Sequence, residues 1–184
     1  MAAWNLPVTL NVAGTEYEIR EDFRAALDIL AAFNDEALSE NEKIKATIEI
    51  LYYPIIPPEE CLQEAFDKAL WFIDCGIKQD DTPKPRTMDW EKDAPIIFPA
   101  VNKVAGFETR CGKVIHWWTF YGWFMEIDDG LFSQVLSVRQ KLAKGKKLDK
   151  WEREFLNNNQ KLCELQGSTD KAQEEFDFFA ELLK

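Results

Sequence analysis

The sequence predicts a mainly α fold: one compact multi-helix domain with an N-terminal β-hairpin. Three observations carry that expectation. Apolar residues alternate over 7–20, the apolar period then changes from two to 3.6, and the later apolar stripes are punctuated by N-cap residues, prolines and glycines. At 184 residues the chain has the length of one domain. A polar, Pro-bearing hinge is expected at 77–88 and a C-terminal helical tail at 166–184.

The elements follow in order. Val8, Leu10 and Val12 point one way, Thr9 and Asn11 the other; Ala13-Gly14 reads as a tight turn, and Tyr17 and Ile19 alternate with Glu16, Glu18 and Arg20. Asp22 is a good N-cap for a helix bearing Phe23, Ala26, Leu27 and Leu30. Ser39 with Glu42 forms a capping box ahead of the stripe Ile44, Ile48, Leu51, Tyr52. The segment Pro54–Pro58 stops that helix, and Glu59 and Glu60 fall in the first turn of the next, where the helix dipole favours them. Its face is Leu62, Ala65, Phe66, Ala69, Leu70 and Ile73, with Gly76 as the C-cap. Trp90, Ala94, Ile97, Val101 and Val104 keep helical spacing through Pro95 and Pro99, which predicts a kinked or broken helix ending near Gly106. The segment 113–125 is apolar nearly all round and predicts a central, buried helix, broken by Asp128-Asp129-Gly130. Leu131, Val135, Val138 and Leu142 form the next stripe, Trp151 and Phe155 start another, and Phe176 and Phe179 sit at helical spacing in the tail.

Composition excludes several classes of function. Hydrophobic residues make up 46% of the chain, enough for a real core. A net charge of −11 repels phosphates, so nucleic acid is not an expected partner. No apolar run approaches the ~20 residues that span a bilayer, so no membrane association is expected. The N-terminal residues show no signal-peptide pattern, and a cytoplasmic location is expected. Cys61, Cys75, Cys111 and Cys163 lie far apart and read as reduced, half-buried cytosolic thiols. No dinucleotide fingerprint or P-loop occurs, so no nucleotide cofactor is expected, and the spacing of the four Cys and the one His supports no metal site.

The candidate chemical groups each have a plainer reading. His116, beside Trp117 and Trp118, would be a general base only with an orienting partner and a nucleophile, and no local motif supplies one; a hydrogen-bonded His on a packed helix is the expectation. Asp128, Asp129 and Gly130 carry part of a calcium-loop pattern and are expected to be a simple acidic turn. Asp89, Glu91 and Asp93 read as a helix N-terminus. Charge is segregated, with −10 over residues 16–75 and +4 over 136–165. Internal complementarity and a docking surface for an acidic partner both remain open.

Trp90-Glu91-Lys92-Asp93-Ala94-Pro95, Ile115-His116-Trp117-Trp118-Thr119-Phe120, Val138-Arg139-Gln140-Lys141 and Gly145-Lys146-Lys147-Leu148 follow one another in that order. This pattern resembles the gene-product-fifteen family of long-tailed phages and prophages of Gram-positive bacteria, over roughly residues 15–165. The resemblance implies a non-enzymatic tail assembly chaperone in the host bacterial cytoplasm. It would bind and coat the tape-measure protein and help recruit the major tail protein, and the resemblance supplies no catalytic residues. Self-association is a further expectation. Three tryptophans on one helix, Trp117, Trp118 and Trp123, cannot all face one core. They are candidate partner contacts together with Arg139, Trp151, Phe176 and Phe179. The alternatives are a structural tail or connector subunit of the virion and a small hydrolase using His116.

Overall fold

The computed structural model describes residues 4–77 and 85–165. Most of the hinge expected at 77–88 lies outside the described residues, as does the whole tail at 166–184 with Phe176 and Phe179. The described chain is mainly α. It has a two-stranded antiparallel hairpin, β1 (Thr9–Val12) and β2 (Thr15–Glu18), then α1 (Phe23–Asn34), α2 (Glu40–Leu51), α3 (Leu62–Ile73), α4 (Ala94–Ala105), α5 (Trp117–Met125), α6 (Leu131–Ala143), α7 (Lys150–Asn158) and α8 (Gln160–Cys163). Packing defines two compact units, one within Met1–Asp81 plus Val101–Glu126, the other within Thr82–Ala100 plus Ile127–Lys184.

In the first unit, Leu10 pairs with Tyr17 and Val12 with Thr15, which leaves Ala13-Gly14 as a two-residue loop. Both loop residues have positive φ, 50° and 83°. That conformation matches the right-handed twist of the strands. Leu10 and Val12 are buried, but Val8, expected on the same face, precedes the strand and is exposed. A hairpin alone is marginal in water. This one leans on α2 and α3: Ile19 bridges Tyr52, Arg20 N–H donates to the Leu51 carbonyl (2.8 Å), and Ala13 N–H donates to the Glu64 carboxylate (3.1 Å).

Asp22 caps α1 by accepting the Arg24 N–H, and Ser39 and Glu42 form a reciprocal capping box on α2, as their spacing predicts. The buried face of α1 is Phe23, Ala25, Ala26 and Ile29, while Leu27 and Leu30 are half-buried. The arc is rotated because α1 packs against both α2 and α5. On α3, Phe72 joins Ala65, Ala69 and Ile73 in the core, and Leu70 is half-buried. Past α3, Cys75 (φ 55°) and Gly76 (φ 72°) are both left-handed. A Cβ at Gly76 would meet the Trp71 and Trp118 rings at 3.3 Å, so glycine is needed for space as well as for conformation.

Two expectations need correction. A break at Pro95 or Pro99, one of the two expected outcomes, does not occur: the helix is continuous from Ala94 to Ala105. Pro95 sits in the first turn, where its missing N–H has no intrahelical partner to lose, and the exposed Pro99 removes a single bond. The apolar stretch 113–125 is helical only from Trp117. Its first residues use their backbone otherwise: Phe23 N–H donates to the Ile115 carbonyl (2.9 Å) and Trp117 N–H to the Glu21 carbonyl (2.7 Å). Nor is α5 buried all round. Trp117 and Phe120 are fully buried, whereas Met125 is exposed.

The second unit is built on Ile96 and Ile97 of α4, Phe132, Val135 and Val138 of α6, Leu156 of α7 and Cys163 of α8. Leu131, expected to head the α6 stripe, is exposed, and Phe132 takes its place.

Asp22 does more than cap, since its other oxygen accepts Ile115 N–H at 3.0 Å. Asp22→Ala removes the α1 cap and strands that amide. It is expected to cost about 1–3 kcal/mol, and Asp22→Asn less, as measured by urea unfolding.

Candidate functional site

The H-W-W element is a clasp within the first unit. His116 caps α5: its Nδ1 accepts the Trp118 N–H (3.1 Å), and its Nε2 lies 2.9 Å from the Pro7 carbonyl oxygen. A carbonyl only accepts, so Nε2 carries the proton and the ring is the neutral Nε2–H tautomer. Both ring nitrogens are therefore committed to backbone. The neighbouring indoles complete the clasp. Trp117 Nε1 donates to the Ile73 carbonyl and Trp118 Nε1 to the Phe72 carbonyl, each at 2.8 Å. These carbonyls belong to the last turn of α3, past its i+4 helical amides; that of Phe72 also accepts the Cys75 N–H at 3.1 Å. One helix thus caps the end of another with two ring N–H groups. Phe120 stacks on Phe23 at 4.2 Å, and Trp118 meets Trp71 edge-on at 5.3 Å.

The second constellation is Asp93 with Arg139, both nearly fully buried in the second unit. The pair is bidentate, at 2.6 and 2.8 Å. Arg139 Nε also donates to the Cys163 carbonyl (3.2 Å), Nη1 to the Thr87 carbonyl (3.2 Å), and Nη2 to the Leu162 carbonyl. All five guanidinium N–H groups are thereby used. Asp93 in turn accepts the Asp89 N–H at 3.0 Å, and Asp89 accepts the amides of Glu91 and Lys92. Asp89, Glu91 and Asp93 thus form a turn leading into α4 rather than a facing carboxylate pair. Lys141 and Glu152 make a second, less buried ion pair between α6 and α7.

The candidate partner contacts separate on this geometry. Trp117 and Arg139 are interior and spend their polar groups on their own chain. Trp118 is half-buried, as is Trp123, which meets Phe107 edge-on at 5.6 Å. Trp151 is exposed and stacks on Phe155 at 5.9 Å. Phe176 and Phe179 lie outside the described residues. The four thiols are free, but not uniformly half-buried as expected: Cys111 is exposed and Cys163 buried. Burial pushes the Cys75 thiol up to about 12, aided by Asp74, and pushes Cys163 up to about 11. Among the described residues no cluster of three or more His, Cys, Asp or Glu is placed to hold a metal ion.

An open groove of about 690 Å³ lies between α2 and α3. Ile44 and Ile48 of α2, Ile56 and Pro57 of the connection and Leu62 of α3 line it, with Asn41, Lys45, Glu49 and Glu59 as its polar lining. Ile55 and Ile56 are 67% and 48% exposed, unusual for adjacent isoleucines. In sequence, 54–58 reads as the stop of one helix and the start of the next. Two isoleucines held between prolines, without helix or strand periodicity to bury them, were the available signal.

Replacing Arg139 by Met leaves the Asp93 carboxylate buried without its cation, and is expected to cost about 3–5 kcal/mol. Asp93→Asn should cost less, because the guanidinium keeps its three carbonyl acceptors; urea denaturation of the two variants checks the order. Iodoacetamide at mildly alkaline pH should modify Cys111 well before Cys75 and Cys163, with mass spectrometry reading the sites, because the thiolate is the reactive form.

Neither a curated protein nor a solved structure matches this chain. A family model does, over residues 4–165, and the H-W-W clasp and the Asp93–Arg139 pair both lie within that span. The chain belongs to the bacteriophage Gp15 protein family.

Proposed function

We propose that this phage protein is a non-enzymatic tail assembly chaperone, acting in the host bacterial cytoplasm. It binds the tape-measure protein during tail morphogenesis and helps bring the major tail protein to it. The observation that carries the reading is the open aliphatic groove between α2 and α3, in a chain of a phage family. A long helical chain awaiting enclosure exposes apolar stripes, and a groove walled by isoleucines can cover one. The net charge of −11 keeps a coated assembly soluble through mutual repulsion.

The hydrolase alternative is disfavoured by His116 itself. Its Nδ1 accepts from backbone and its Nε2 donates to backbone, so neither nitrogen is left to take a proton from a nucleophile. A structural tail or connector subunit is the second reading. It predicts that the protein persists in purified virions, whereas a chaperone is absent from them.

Co-expression with the tape-measure protein is expected to raise the soluble yield of that protein and to give a complex on gel filtration. Unchanged solubility without a complex overturns the chaperone reading. Mass spectrometry of purified particles separates it from the structural subunit.

A further inference from the structure

We infer that the groove between α2 and α3 is a docking site for a basic amphipathic helix, an inference that rests on the chaperone reading and names the chemistry of the segment it grips. The groove has a fixed floor and a free rim. Ile48 is 2% exposed and belongs to the core, whereas Ile56 is 48% exposed and Ile44 half-buried. Apolar area at the rim is therefore available to an incoming side chain without disturbing the fold. An aliphatic trough beside two helices accepts the i, i+3, i+4, i+7 stripe of a third.

Charge selects the occupant. Both walls belong to residues 16–75, which carry −10. Lys45 and Glu49, both lining residues, offset one another at 3.7 Å, which leaves the Glu59 carboxylate as the net charge of the lining. Glu59 lines the groove and Glu60 follows it on the same exposed turn. Lysines flanking the apolar stripe of a docked helix would meet these carboxylates, and acidic flanks would be repelled. Residues 166–184 carry −3 and are the wrong sign for this site. The basic segment 136–165 of a second copy has the right sign. Its apolar face, however, is already occupied: Val138, Leu156 and Cys163 lie in the core of its own unit.

The test uses the full chain and synthetic peptides in isothermal titration calorimetry. One peptide has leucines at helical spacing among lysines, a second has the same residues in scrambled order, and a third has glutamates in place of the lysines. The patterned Leu/Lys peptide is expected to bind once per chain, about tenfold or more tighter than its scramble, with no binding of the Leu/Glu peptide. Ile56→Ser, which leaves charge unchanged, should weaken binding about tenfold. Glu59→Gln with Glu60→Gln should flatten its salt dependence. Unfolding of the Ile56→Ser chain at the wild-type temperature shows that the fold is kept, and Ile44→Ser gives a second, independent wall. Equal binding of patterned and scrambled peptides overturns the inference, as does indifference to both isoleucine variants. So does wild-type self-association on gel filtration that Ile56→Ser abolishes, since the groove would then hold a second copy. If Ile56→Ser still raises soluble tape-measure yield as wild type does, the groove inference falls and the chaperone reading stands. If wild type raises no yield yet binds the patterned peptide, the chaperone reading falls and the groove remains a helix site.

Discussion

A guanidinium cannot be buried without acceptors, and the second unit is arranged around where Arg139 finds them. Its five N–H groups reach Asp93 at the start of α4, the Thr87 carbonyl before it, and the carbonyls of Leu162 and Cys163 at the end of α8. Segments from both ends of the unit are thereby held to one side chain on α6. Desolvating two charges is expensive, and the return depends on geometry and on filling every remaining valence. The pair is bidentate and every guanidinium N–H has an acceptor, so the cost is offset only in the one arrangement of the unit that brings these acceptors together.

The first unit obeys the same rule with neutral groups. The last carbonyls of a helix need donors, and those of Phe72 and Ile73 receive the indole N–H groups of Trp118 and Trp117. The first amides of α5 need an acceptor, and His116 supplies it. His116, Trp117 and Trp118, along with Asp93 and Arg139, are thus explained by internal hydrogen bonding. A contiguous polar and aromatic motif of this kind invites a catalytic reading. Here its polar atoms are used up in joining elements that are far apart in sequence.

What remains outward is a different set of groups. Among the described residues, the α2–α3 groove with the exposed pair Ile55 and Ile56 in the first unit, and separately Trp151 on α7 in the second, present exposed apolar area. Exposed contiguous apolar surface is the mark of a surface that meets another molecule. Carboxylates beside such a groove would make capture of the proposed cationic helix reversible and sensitive to salt.

The local rules were legible in the sequence. Asp22, Ser39 and Glu42 announce their helices because a cap depends on residues within one turn of each other. Ala13-Gly14 announces the hairpin because its turn is a two-residue event. Which aromatic is buried was not legible: Trp117 and Trp118 are adjacent and chemically alike, yet one is enclosed and the other half-open. The start of α5 was not legible because Ile115 and Trp117 bond by their backbone to Phe23 and Glu21, more than ninety positions away in the chain. The partnership of Asp93 with Arg139 and the meeting of Ile44, Ile56 and Leu62 around one groove are likewise contacts between distant segments. By itself the sequence determined the mainly α class, the hairpin, the caps and the segregation of charge, since each is set by near neighbours or by composition. Burial, pairing and the groove were decided by tertiary structure, because they depend on which helices come to share a face.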